Sequence, residues 1–107
     1  MTIAIATLIL TIVVETGLAL LIARSPLVRV PAKRLWIDTP LINLASHPIA
    51  TLLFRSGIVS FATAEWMVFA VEVVLYRTVT RASWAQAIVL SAILNGATVL
   101  LALSLAG

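Results

Sequence analysis

Four long apolar stretches separated by short polar ones set the pattern of this chain. The first runs from about Thr2 to Ala23 and the last from about Trp84 to Ala106. Between them, Leu41 to Tyr76 is almost continuously apolar. As one helix, at about 1.5 Å per residue, that middle stretch would reach about 54 Å. A bilayer core is about 30 Å thick, so the stretch must break, and Arg55-Ser56-Gly57 is the place. The pattern predicts membrane segments at 2–23, 40–54, 58–76 and 84–106. Asp38-Thr39-Pro40 reads as a helix start, with a side-chain cap and proline at the first helical position. The helix that follows, Pro40 to Phe54, is about 22 Å long, short of a full span. Pro48 cannot donate to the carbonyl of Leu44, so a bend is expected there.

Each segment has one polar face. Residues three or four apart share a helix face. Thr7, Thr11, Glu15, Ala19 and Ala23 line one side of the first segment. Asn43, Ser46, His47 and Ala50 line the second, and Phe61, Glu65, Val68, Glu72 and Tyr76 the third. The last carries Ser91, Asn95 and Thr98, with Ala92 and Gly96 as a small-xxx-small pair that permits close helix approach. These faces predict an all-α membrane bundle of four segments, one short or re-entrant, in a single domain.

Composition turns the helical pattern into a membrane one. The chain is 63% hydrophobic and 10% charged, whereas soluble domains carry about 25% charged residues. A soluble chain of 107 residues has too little interior to hide so much apolar surface. The net charge of +3 does not point to nucleic acid, because the basic residues sit in the loops between apolar segments. Cysteine is absent, which excludes disulfides, thiolate metal sites and iron–sulfur clusters within the chain. The first positive charge, Arg24, follows the first apolar run instead of preceding it. A retained membrane helix is therefore expected, not a secretory signal.

Charge also predicts topology. Basic loops favour the cytoplasmic side, and 24–39 and 77–83 are both basic. Residues 41–76 must then cross in and return, as a hairpin turning at Arg55-Ser56-Gly57. The rival arrangement has three spans with 41–54 lying flat at the interface, which places the two basic loops on opposite sides. The expected location is a prokaryotic inner membrane.

Counting depth along each helix places Glu15, His47, Glu65, Glu72 and Asn95 within a layer about 10 Å thick. Together with Asn43 they form the candidate intramembrane polar cluster. Ionisable groups inside a membrane are by default a functional-site hypothesis. For Glu15, a structural role as a neutral interhelical hydrogen-bond donor weighs equally. Glu72 lies near the interface by this count and could pair with Arg77 or Arg81, which weighs it toward a structural role. Glu65 is the deepest by this count and has no partner nearby in sequence, which makes it the leading functional candidate. His47 and Asn95 read first as interhelical hydrogen-bonding groups. No metal site is expected, since the Glu-x-x-His spacing of di-iron bundles is absent. No cofactor is expected either; the alternative is a haem or pigment held by His47, with a second axial histidine from another subunit. Neither nucleotide-binding glycine loops nor hydrolase motifs occur.

The run NLASHPIATLL, then Glu65 and Glu72 with Tyr76-Arg77, then SAILNG, resembles small prokaryotic multi-pass membrane proteins. In those, an Asn–Pro pair, paired glutamates and a late asparagine recur at similar spacing. The resemblance spans about residues 41–97 and implies that these polar residues belong together. Two functions follow as expectations. One is a non-enzymatic subunit of a larger membrane complex. The alternative is a small proton- or cation-coupled transporter or channel working through its glutamates. The expected partners are the lipid bilayer and either other membrane subunits or further copies of the chain.

Overall fold

The computed structural model describes residues 3–106 and contains four helices: α1 (Ile3–Ala23), α2 (Ala32–Arg55), α3 (Phe61–Thr78) and α4 (Trp84–Ala106). No strand occurs among the described residues. Thr2, the expected start of the first segment, lies outside them. Each helix packs against its neighbour in sequence, and α1 closes the ring against α4. The bundle is 38 Å long and 23 × 22 Å across.

The largest departure from the expected elements is α2. It starts at Ala32, not at Pro40, and runs through both Pro40 and Pro48 for 24 residues. Asp38 and Thr39 therefore do not cap it; they are interior helical residues, both buried. Pro31 takes the cap position at φ −59° and ψ 138°. Ala32-Lys33-Arg34-Leu35 are good helix formers, and Arg34 Nε donates to Asp38 Oδ2 at 3.0 Å one turn on. Those local contributions, with the packing of Leu35 in the core, offset the backbone donors that the two prolines remove. The segment expected to be short is thus a full-length helix.

The break at Arg55–Gly57 has a definite geometry. Gly57 is left-handed at φ 78°. Its N–H donates to the Phe54 carbonyl at 3.0 Å, and the Ile58 N–H to the Leu53 carbonyl at 3.1 Å. That pair of bonds is a Schellman ending, which favours glycine at this position. Ser60 then starts α3 by accepting from the Thr63 N–H at 3.1 Å.

At the opposite end, the loops after α1 and after α3 meet. Arg34 Nη2 donates to the Val79 carbonyl at 2.7 Å, and the Thr39 and Tyr76 hydroxyls are 3.0 Å apart and hydrogen-bonded. Val28, Val30 and Ala82 from those loops join Leu35, Tyr76, Ala87 and Leu90 in the main core. Both basic loops therefore lie at one end of the bundle, as the hairpin requires. Between the two ends, α2 packs against both α1 and α3.

Two helices, at Ile5–Ala23 and Trp84–Ser104, are long and apolar enough to cross a membrane. Charges and prolines set α2 apart from them, and α3 has only 18 residues with Glu65, Glu72 and Arg77 among them. The bundle surface is nonetheless apolar on every helix. Val13, Leu21, Ile49, Leu52, Trp66 and Leu100 are all more than half exposed. Ala92 and Gly96 also face outward, so the small-residue pair makes no close approach within the chain.

Candidate functional site

The four polar faces turn inward and meet. Glu15 on α1 and Glu72 on α3 are both 0% exposed, and His47 on α2 lies between them. His47 Nε2 is 3.5 Å from Glu15 Oε2 and 3.5 Å from Glu72 Oε2. One donor atom from each of the three residues fits within 4.8 Å of the others. Helical spacing produces this. Ala19 and Ile22 carry the α1 face onward into the core from Glu15. Val68 and Tyr76, one turn either side of Glu72, anchor the α3 face, and both are buried.

Hydroxyl and amide groups fix the carboxylates. Ser46 Oγ lies 2.6 Å from Glu72 Oε2 and 3.0 Å from the Ile42 carbonyl. A hydroxyl has one proton to give, and the shorter, charge-assisted contact to the carboxylate takes it. Asn95 Nδ2 donates to Glu72 Oε1 at 2.7 Å and to the Ser91 carbonyl at 2.9 Å. Thr98 Oγ1 lies 3.2 Å from Glu15 Oε2, and its one proton is shared between that oxygen and the Leu94 and Asn95 carbonyls at 3.2 and 3.1 Å. Glu72 is therefore held from both sides, by α2 and α4, and Glu15 is held from α4.

Several polar atoms in this region remain without partners. Glu15 Oε1, His47 Nε2, Asn43 Oδ1 and Asn95 Oδ1 are buried and make no hydrogen bond among the described residues. A buried polar atom left unpaired is costly and calls for an explanation. Two buried carboxyl groups thus face a single imidazole in a low-dielectric interior, where an unpaired charge is costly. The arginines and the lysine stand away from them, in the loops and at the two ends of α2 and the end of α3.

A cavity of about 550 Å³ lies in the half of the bundle that holds the Arg55–Gly57 turn, and His47 is among its lining residues. His47 and Pro48 lie at its inner limit, Thr11 and Thr98 on its walls, and Glu65 and Arg55 along α3 and α2. Thr7 and Thr51 also line it, and the remaining walls are apolar, as in many ligand sites. Compared with known proteins, the chain matches no protein family, no curated protein and no solved structure.

The structure reorders the sequence-based candidates. Glu72 was expected near the interface beside Arg77 or Arg81; it is instead fully buried against Ser46, Asn95 and His47. Arg77 lies over the Trp84 ring, 5.6 Å from its centroid. Glu65, the leading candidate by depth, is half-buried on the cavity wall, and its carboxylate makes no hydrogen bond among the described residues. Asn43 points one turn away, donating to the Thr39 carbonyl at 3.0 Å. Ser46, Ser91 and Thr98 belong to the cluster although they were read only as marking polar faces. Their signal was present in the sequence, since each shares a face with His47 or Asn95.

Proposed function

We propose that this chain is a small, non-enzymatic membrane protein that binds a proton or cation inside its bundle and exchanges it through one end. The observation that carries this is Glu15 and Glu72 facing His47 at the inner limit of a cavity. All four helices act as membrane segments in this reading. The apolar exterior supports it. So do Trp36 and Trp84, exposed near the basic end, where tryptophan suits the membrane interface. By the positive-inside rule the two basic loops face the cytoplasm of a prokaryotic cell, and the cavity opens to the opposite side. Glu65 is the acidic way-station between that opening and His47.

Proteoliposomes test this. Proton and monovalent-cation flux is compared for the wild type and Glu72→Gln, a change that keeps shape and hydrogen bonding but removes the titrating group. Flux above empty vesicles in the wild type, reduced at least tenfold in the variant, is the expected result. Wild-type flux at the empty-vesicle level rejects the carrier reading.

A second reading is a subunit of a larger membrane complex, or one copy in a homo-oligomer. Its support is the outward-facing pair Ala92 and Gly96, where a close-packing helix from another chain fits. Purification in mild detergent decides it: a chain that elutes alone as a monomer contradicts both forms of assembly.

A further inference from the structure

The geometry points to a divalent transition-metal site, of the zinc type, formed by Glu15, His47 Nε2 and Glu72. This deepens the ion-binding reading above and rests on it. The distances carry the argument first. Donor atoms about 2.0–2.1 Å from a tetrahedral zinc stand about 3.3–3.4 Å from one another. Both histidine-to-carboxylate separations are 3.5 Å, and the remaining edge is within 4.8 Å. Two of the three separations therefore already match the edge of a metal's ligand tetrahedron, and the third lies within reach of it by a side-chain adjustment.

Unpartnered atoms give independent support. His47 Nε2 faces both carboxylates, yet it makes no hydrogen bond among the described residues. Glu15 is 0% exposed; its Oε2 is the oxygen 3.5 Å from His47, and the other oxygen of the same carboxylate, Oε1, has no hydrogen-bond partner among the described residues. Imidazole nitrogens and carboxylate oxygens are atoms that a metal takes as ligands.

The surroundings complete the case. Metal-binding carboxylates are held in turn by outer hydrogen bonds. Ser46 and Asn95 do this for Glu72, and Thr98 for Glu15. Three protein ligands leave the fourth tetrahedral position open, as in exchangeable zinc sites. The cavity reaches His47, so that position connects to the open end. The Glu-x-x-His spacing that argued against a metal from sequence applies to paired-metal bundles; a single-ion site drawn from three helices needs no such spacing.

The test uses the full chain in detergent, with any purification tag removed and metals stripped by a chelator. Cobalt(II) is the probe, because its visible spectrum reports coordination geometry. One equivalent of cobalt per chain with an intense tetrahedral spectrum, displaced by zinc, is the expected result. Glu15→Gln, His47→Ala and Glu72→Gln should each weaken binding at least tenfold, and Asp38→Asn, at the basic end, should not. Size-exclusion profiles establish that each variant is folded. Absence of cobalt binding by the folded wild type overturns the proposal. So does an unchanged affinity in all three ligand variants. Proton flux without cobalt binding refutes the metal while leaving the carrier reading intact; the tetrahedral spectrum without any flux confirms the metal and refutes transport.

Discussion

The two halves of this bundle are built differently from the same four helices. Toward the basic end, Ala19, Ile22, Leu35, Ile42, Val73, Tyr76, Ala87, Leu90 and Leu94 form one continuous core, sealed by Val28, Val30 and Ala82 from the loops. Toward the turn end, the buried apolar cluster shrinks to Ala50, Ala64 and Val68, and the space beside it is the cavity. Glu15, His47 and Glu72 lie where the two halves meet. A polar cluster at the middle of a uniformly packed bundle would be inaccessible glue. Here it lies where the larger core gives way to the half that holds the cavity, and His47 lines that cavity.

Truncating the same residue type in each half breaks this comparison most sharply. Leu90→Ala, at a fully buried position of the sealed half, should destabilise the bundle by about 2–4 kcal/mol, the range for leucine truncation in a packed core. Leu52→Ala, at a 69% exposed residue of the open half, should change stability by no more than about 0.5 kcal/mol. Denaturant-induced unfolding in detergent measures both, and equal losses would show that the halves are packed alike.

A smaller effect should come from the turn end itself. Gly57 is left-handed with open space around it, so the backbone conformation, not crowding, opposes a side chain there. Gly57→Val should cost about 1–2 kcal/mol, because a β-branched residue fits that region poorly. Wild-type stability in the same assay would mean that the turn is free to rearrange and that the open half has no fixed frame.

The parts of this architecture that repeat along a helix were legible in the sequence. Helical spacing put Glu15 with Ala19, Glu72 with Val68 and Tyr76, and Asn95 with Ser91 on shared faces, and those faces are the ones that meet. The Arg55–Gly57 break was legible because one helix of that length exceeds the bilayer. Depth counting from presumed ends was less informative. It assigned Pro40 as a helix start because proline is favoured there, but the capping signal gave way to the Ala32–Leu35 run and to tertiary burial of Leu35 and Thr39. Moving that boundary shifted every depth on α2. Glu72 belongs to the cluster as its spacing suggests, but its partners do not follow from sequence: the nearby arginines are visible there, whereas Ser46, 26 residues away, is not. The approach of Glu15 and Glu72 to His47 depends on how three separate helices rotate about their axes, and spacing within one helix carries no information about that.

Single cysteines most directly test the central claim, that the interior cluster is reached from one end only. The chain has no cysteine of its own, so each introduced thiol is read without background. Ala64→Cys lies on the cavity wall, and Ala87→Cys lies in the sealed core at 0% exposure. Both proteins are placed in vesicles and treated with a small water-soluble thiol reagent, from each side in turn. The thiol at position 64 should react from the side bearing the Arg55–Gly57 turn and from that side alone, while the thiol at position 87 stays unmodified from both. Modification at 87 comparable with that at 64, or no modification at 64 from either side, would contradict the one-ended site.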